Sequence, residues 1–160
     1  MSKKMTREDW DNLKYFSIAE NWGNPLDMDK DFMLFLDDLR GYMELQFVVN
    51  YGTQGKHSTD SFHYKGRAVD GHFLDITPMA CLDRLMERLD EHGHRDKVGI
   101  GFYPDWYNPG FHIDNRAMDG TKPATFWVRI EKPDYGISGG YHYREEAWEI
   151  IKQLKEGGMV

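Results

Sequence analysis

Three short β-rich runs, at 98–103, 110–115 and 125–130, follow one another across connections that carry Pro104, Pro109 and Pro123. A parallel crossover between consecutive strands needs roughly a dozen residues or more, usually including a helix, and neither connection supplies them. The runs are therefore expected to pair mainly antiparallel, which excludes a doubly wound or barrel α/β fold. Two further β-rich stretches precede them: Glu-Leu-Gln-Phe-Val-Val-Asn-Tyr over 44–51, and 66–73.

Helical periodicity surrounds these runs. Thr6-Arg7-Glu8-Asp9 resembles a capping box, and Trp10, Leu13 and Ile18 extend an apolar stripe that predicts a helix to about Ala19. Phe32, Phe35, Leu36, Leu39 and Met43 recur at three- and four-residue spacing, predicting a helix over 28–43. Thr77-Pro78 is a start signal for a third helix over 78–92, buried through Met79, Leu82, Leu85, Met86 and Leu89. A Pro- and Gly-containing connection over 132–140 leads to a fourth helix over 144–155. The expected class is α+β: a mainly antiparallel sheet flanked by helices, its second face open to solvent or substrate.

At 160 residues, with 40% of them hydrophobic, the chain is expected to form one folded domain rather than a disordered segment. Lys and Arg number 20 against 27 Asp and Glu, a balance of −7 that lacks the footprint of a nucleic-acid or anionic-membrane binder. No apolar run approaches the ~18–20 residues needed to span a bilayer, so no membrane insertion is expected. The basic start, through Lys3, Lys4 and Arg7, runs into charged residues rather than an apolar signal core. Synthesis without a signal peptide, in the cytoplasm, is the expectation. Cys81 is the one cysteine, so any metal must be held by His and carboxylate.

Two segments bring such residues together. Ser61-Phe62-His63-Tyr64-Lys65-Gly66-Arg67-Ala68-Val69-Asp70 reads as a loop feeding a strand, with His63 and Asp70 able to converge on one cation. Gly110-Phe111-His112-Ile113-Asp114 reads as a strand whose period of two puts His112 and Asp114 on one face. Two imidazoles and one carboxylate would leave the fourth zinc position open, as catalytic sites do. On spacing alone the plainer alternative stands beside it: hydrogen-bonded histidines and an aspartate that ends a strand.

The ten residues from Ser61 to Asp70 resemble the S-x-H-x-x-G-x-A-x-D signature of the LAS-type zinc metallopeptidases, which include D-alanyl-D-alanine carboxypeptidases and L-alanyl-D-glutamate endopeptidases of the cell wall. The likeness covers about residues 15–130, leaving a C-terminal helical appendage at about 141–157. The stretch from His57 to Asp70 is also similar to the zinc-binding segment of the Hedgehog signalling domain, so a Hedgehog/DD-peptidase-like fold is implied. The resemblance implies Zn²⁺ as cofactor, with His63, Asp70 and His112 as ligands and peptidoglycan stem peptides or related cell-wall peptides as substrate. A catalytically silent zinc-stabilised binding or virion module is the alternative.

Further roles follow from the same likeness. Many relatives place a carboxylate three residues before the last histidine, where this chain has Pro109, so Asp105 is the expected substitute base. His57 is expected beside the zinc, stabilising an oxyanion or binding substrate, and Asp114 is expected to orient a ligand or bond Arg116. Ser61 belongs to the signature. Relatives carry an arginine in the first strand, absent from Val49-Asn50-Tyr51-Gly52, and Arg67 is the candidate replacement. A phage-derived protein, released to the wall by lysis or carried in a virion, fits the small size.

Overall fold

A computed structural model describes residues 3–133 and 136–160, so the expected connection over 132–140 and the first two residues lie partly or wholly outside the described residues. The elements run α1 (Arg7–Asp11), α2 (Lys30–Met43), β1 (Phe47–Tyr51), β2 (Ala68–Phe73), α3 (Pro78–Glu91), β3 (Gly99–Tyr103), β4 (Gly110–Asp114), β5 (Thr125–Ile130), β6 (Gly140–Tyr143) and α4 (Arg144–Glu156). The class is α+β, with a six-stranded mixed sheet in the order β1-β2-β4-β3-β5-β6.

Four neighbouring pairs are antiparallel, but β3 and β5 pair in parallel. The short connections do not prevent this, because β4 lies on the other side of β3 and provides the return run. Strand β6 at the sheet edge falls within a stretch that reads as connection plus helix in sequence. It joins Trp127 to Tyr143 and Arg129 to Tyr141 across its ladder with β5.

The first helix is shorter than its stripe predicts. Its capping box forms, Thr6 accepting from the Asp9 N–H and Asp9 from the Thr6 N–H, yet the helix stops at Asp11. The buried Asp37 carboxylate of α2 takes the Lys14 and Tyr15 N–H groups at 3.0 and 2.9 Å. Those donors are satisfied outside a helix, so the chain turns away while Leu13 and Ile18 still pack on the core. Helix α2 starts on an Asp29 cap that accepts from the Phe32 N–H.

Strand alternation divides the sheet into two faces. Val69, Ile100, Phe102, Phe111, Ile113 and Val128 share one buried cluster with Phe32, Leu36 and Leu39 of α2, Leu82 and Leu85 of α3, and Ala147, Ile151 and Leu154 of α4. The stretch expected as an appendage thus continues both sheet and core. No helix among the described residues is long and apolar enough to cross a membrane.

Beneath β6, buried His142 donates from Nε2 to the Ser138 carbonyl at 2.7 Å and shares Nδ1 with the Glu146 carboxylate. The Glu146 hydrogen bond raises its pKa above the ordinary imidazole value, outweighing burial. A raised folded-state pKa stabilises fully below the unfolded pKa of ~6.5 and loses that contribution as pH rises through the folded value. The stability gap between wild type and His142→Gln should therefore narrow on going from about pH 6 to about pH 8.5. Urea midpoints at the two pH values check this; a constant gap would contradict it.

Candidate metal centre

The face of the sheet away from the helices carries a cleft of about 740 Å³. Its floor is one row of paired residues: Tyr51 beside Asp70, Asp70 beside His112, His112 beside Gly101, Gly101 beside Trp127, and Trp127 beside Tyr143. A bulge between Val49 and Tyr51 sets Tyr51 in that row. His63 enters from above, on a 3-10 turn at Phe62–Lys65. Ser61 caps the turn, its side chain accepting from the His63 N–H at 3.2 Å, and Gly66 ends it with φ 67°. A Cβ at Gly66 would lie 2.1 Å from the Asp27 carbonyl oxygen, so only glycine closes the turn against that backbone.

Three side-chain atoms from these elements form a nearly equilateral triangle. His63 Nε2 is 3.2 Å from both Asp70 Oδ1 and His112 Nδ1, and His112 Nδ1 is 3.1 Å from Asp70 Oδ1. Tetrahedral bonds of ~2.0–2.1 Å to zinc separate neighbouring donors by roughly 3.3 Å, so the triangle has the size of one face of such a site. The other ring nitrogens are tied down. His63 Nδ1 donates to the Gly52 carbonyl at 2.7 Å, and His112 Nε2 donates to Asp114 Oδ2 at 2.7 Å. Such bonds fix tautomer and ring angle and are the usual support of a ligating imidazole.

His57 joins the group. His57, His63 and Asp70 offer donor atoms all within 4.8 Å of one another and could hold a metal ion. The His57 ring stacks on His63 at 3.8 Å and 11°, whereas His112 is inclined to His63 by 73°. Parallel rings direct their in-plane lone pairs side by side; inclined rings let them converge. His57 Nε2 donates to the Gln54 carbonyl at 2.8 Å, leaving Nδ1 as its acceptor. Burial lowers the His57 pKa, which favours its neutral ring.

Charge balance in the triangle follows from burial and pairing. Burial alone would lower the His112 pKa, but hydrogen bonds to Asp114 and Asp70 carry it up to about 9. Burial alone would raise Asp70, and hydrogen bonds from His112 and His63 hold it well below the carboxylate range instead. Asp114, fully buried, is likewise held low by His112 and Arg116 against the effect of burial. The two carboxylates that flank His112 thus both favour its protonated ring.

Two expected residues lie elsewhere. The Asp105 carboxylate accepts the Glu131 and Lys132 N–H groups at 2.8 and 2.7 Å, tying the β3–β4 turn to the end of β5, and it does not line the cleft. A base at Asp105 is thereby corrected: two backbone donors hold its carboxylate away from the triangle. Arg67 bonds Asn115 through Nε and Nη2 and Asp119 through Nη1, at 2.8, 3.1 and 2.8 Å. Buried in those contacts and absent from the cleft lining, it does not present a cation to substrate.

Other lining residues are less visible in the sequence. Trp127 lies 5.2 Å from the His112 ring and donates to the Tyr103 hydroxyl at 3.2 Å. Its seat depends on Gly101, where a Cβ would fall 2.5 Å from the indole. Gly101→Ala should cost about 1–3 kcal/mol and displace the indole, read as a lower urea midpoint with altered near-ultraviolet dichroism. Arg129 follows Trp127 at strand spacing, so the period of two was a signal for it; nothing in the sequence marks the Gly52 carbonyl. No family model, curated protein or solved structure matches the chain.

Proposed function

We propose that the chain is a zinc-dependent peptidase of LAS type, with a Hedgehog/DD-peptidase-like fold, acting on peptidoglycan stem peptides or related cell-wall peptides. The observation that carries this reading is the triangle of His63 Nε2, Asp70 Oδ1 and His112 Nδ1 at 3.1–3.2 Å on the floor of an open cleft. Two neutral-capable imidazoles and one carboxylate are a fitting donor set for zinc, and leave one coordination position toward the cleft. The metal, when bound, supplies Lewis acidity to water and to a peptide carbonyl.

The protein's own groups do the rest. Asp114 and the Gly52 carbonyl hold the two imidazoles at their working angles. Trp127, Tyr103 and Trp106 wall the cleft and limit water around an extended peptide. His57, beside the triangle and with Nε2 bonded to the Gln54 carbonyl, offers Nδ1 as a proton acceptor.

One observation favours the catalytically silent module instead. Among the described residues the cleft carboxylates are Asp60, Asp70 and Asp114, and the last two are already engaged. The deciding experiment combines zinc-edge anomalous scattering, from crystals grown without added metal, with an assay for new amino termini on purified peptidoglycan. The peptidase reading expects one zinc peak inside the triangle, cleavage by wild type, and a fall of about 10²–10⁴-fold in kcat for His57→Ala with zinc retained. Zinc without cleavage across several peptidoglycan chemistries would favour the binding module, and absence of zinc would overturn both.

A further inference from the structure

The chain is acidic overall, yet Lys56, Arg116, Lys122 and Arg129 line the cleft. Arg116 is engaged by Asp114, with Nε and Nη2 on the carboxylate at 3.0 and 2.7 Å. Arg129 is not engaged in that way. Among the described residues it pairs with Glu131, 3.4 Å from Nη1, in a pair whose side chains are 39% and 40% exposed, the kind of contact that contributes little. Its Nε is closed off from solvent and has no acceptor among the described residues. The guanidinium carbon lies over the Tyr141 ring, 5.0 Å from its centroid, beside the cleft.

The strand register gives its distance from the triangle. Arg129 lies two residues beyond Trp127 on β5, and Trp127 is level with His112 two strands away. Two strand spacings of ~4.8 Å and two residues of ~3.4 Å put the Arg129 and His112 backbones about 12 Å apart on one face. At ~3.3–3.4 Å per residue, an extended peptide with its reacting bond over His112 passes Arg129 about two to four residues away.

We infer that Arg129 anchors a carboxylate of the peptide ligand, two to four residues from the bond held at the triangle. The inference rests on the cleft being a peptide channel, as proposed above. A planar carboxylate suits the part of the fork that faces the cleft, the side chain being 39% exposed there and held by no closer ion pair among the described residues. The cation stands away from the triangle, so the cleft selects an acidic residue within or beyond the peptide rather than the carboxylate adjoining the reacting bond.

Binding tests this without relying on turnover. The probes are N-acetyl-Ala-Ala-Ala-Glu-Ala-amide and its Gln twin, titrated into the full chain as purified and again after dialysis against EDTA. The readout is the ¹H–¹⁵N resonance of Arg129 Nε together with Trp127 Nε1. The glutamate peptide should bind about 10-fold or more tightly than the glutamine peptide, in line with a charge-assisted bond, with the Arg129 resonance shifting. Arg129→Gln should bring the ratio near one, while Arg129→Lys should keep part of it and show that the fold is intact. Equal affinity for the two probes, no binding at millimolar concentration, or a preference that survives Arg129→Gln would each overturn the inference. Because the preference is expected with and without metal, failure of the zinc reading leaves this result interpretable.

Discussion

Wild-type protein purified without added metal is expected to carry about one zinc ion per chain, and His112→Ala protein almost none. His112 supplies one of three donors at the triangle; without it His63 and Asp70 remain there, and His57, stacked parallel on His63, would have to turn to complete a set of three, so tight tetrahedral binding is lost. A supporting contact sets the scale. Loss of a residue that merely orients a ligand costs roughly 10–100-fold in metal affinity, so loss of the ligand itself must cost more. Asp114→Asn is accordingly expected to fall between wild type and His112→Ala. His63→Ala should match His112→Ala, because the triangle is symmetric to within 0.1 Å. Elemental analysis after gel filtration measures all four proteins, and full zinc in either alanine variant would sink the site.

The largest expected loss of stability is that of Asp114→Ala. The Asp114 side chain is fully buried and accepts from the Gly99 and Arg116 N–H groups, from Arg116 Nε and Nη2, and from His112 Nε2. Removing it strands a largely buried guanidinium and a buried imidazole without their counter-charge, a change that costs about 3–5 kcal/mol. Asp114→Asn keeps the shape and some of the acceptor capacity, so it should lose less. The depressed Asp114 pKa adds a sign that can be checked. Its contribution is present above the unfolded carboxylate value of ~3.9 and is lost as pH falls through the lower folded value, so the gap between wild type and Asp114→Ala should close in acid. Urea unfolding followed by tryptophan fluorescence reads both effects, and a gap below about 1 kcal/mol at neutral pH would contradict the buried-pair account.

Much of the fold was legible because it depends on local signals. The stripes of α2 and α3, the Thr6 capping box and the β-rich runs each form where the spacing puts them, with ends moved by a few residues. What escaped was decided by partners distant in sequence. Helix α1 ends early because Asp37, more than twenty residues on, captures two of its successor amides. The parallel pairing of β3 with β5 depends on which edge of β3 is left free by β4, and no local pattern encodes that. At the site, period-two alternation was enough to put His112 and Asp114 on one face. It gave no information about Asp105 and Arg67, whose carboxylate and guanidinium are claimed by groups the sequence does not pair with them.

The pairing of Asp70 with His112 also guards the sheet against misassembly. Sliding β4 by one residue along β2 would turn His112 and Asp114 into the apolar layer under the helices and bring Phe111 and Ile113 out to water. Sliding by two keeps the faces but sets either Asp114 or Gly110 opposite Asp70. The first places two carboxylates side by side; the second leaves Asp70 buried with no imidazole across from it. Each neighbouring alignment is thus penalised by charge or by hydration, even before any metal is bound. The residues that form the triangle are the same ones that let this pair of strands close in a single way.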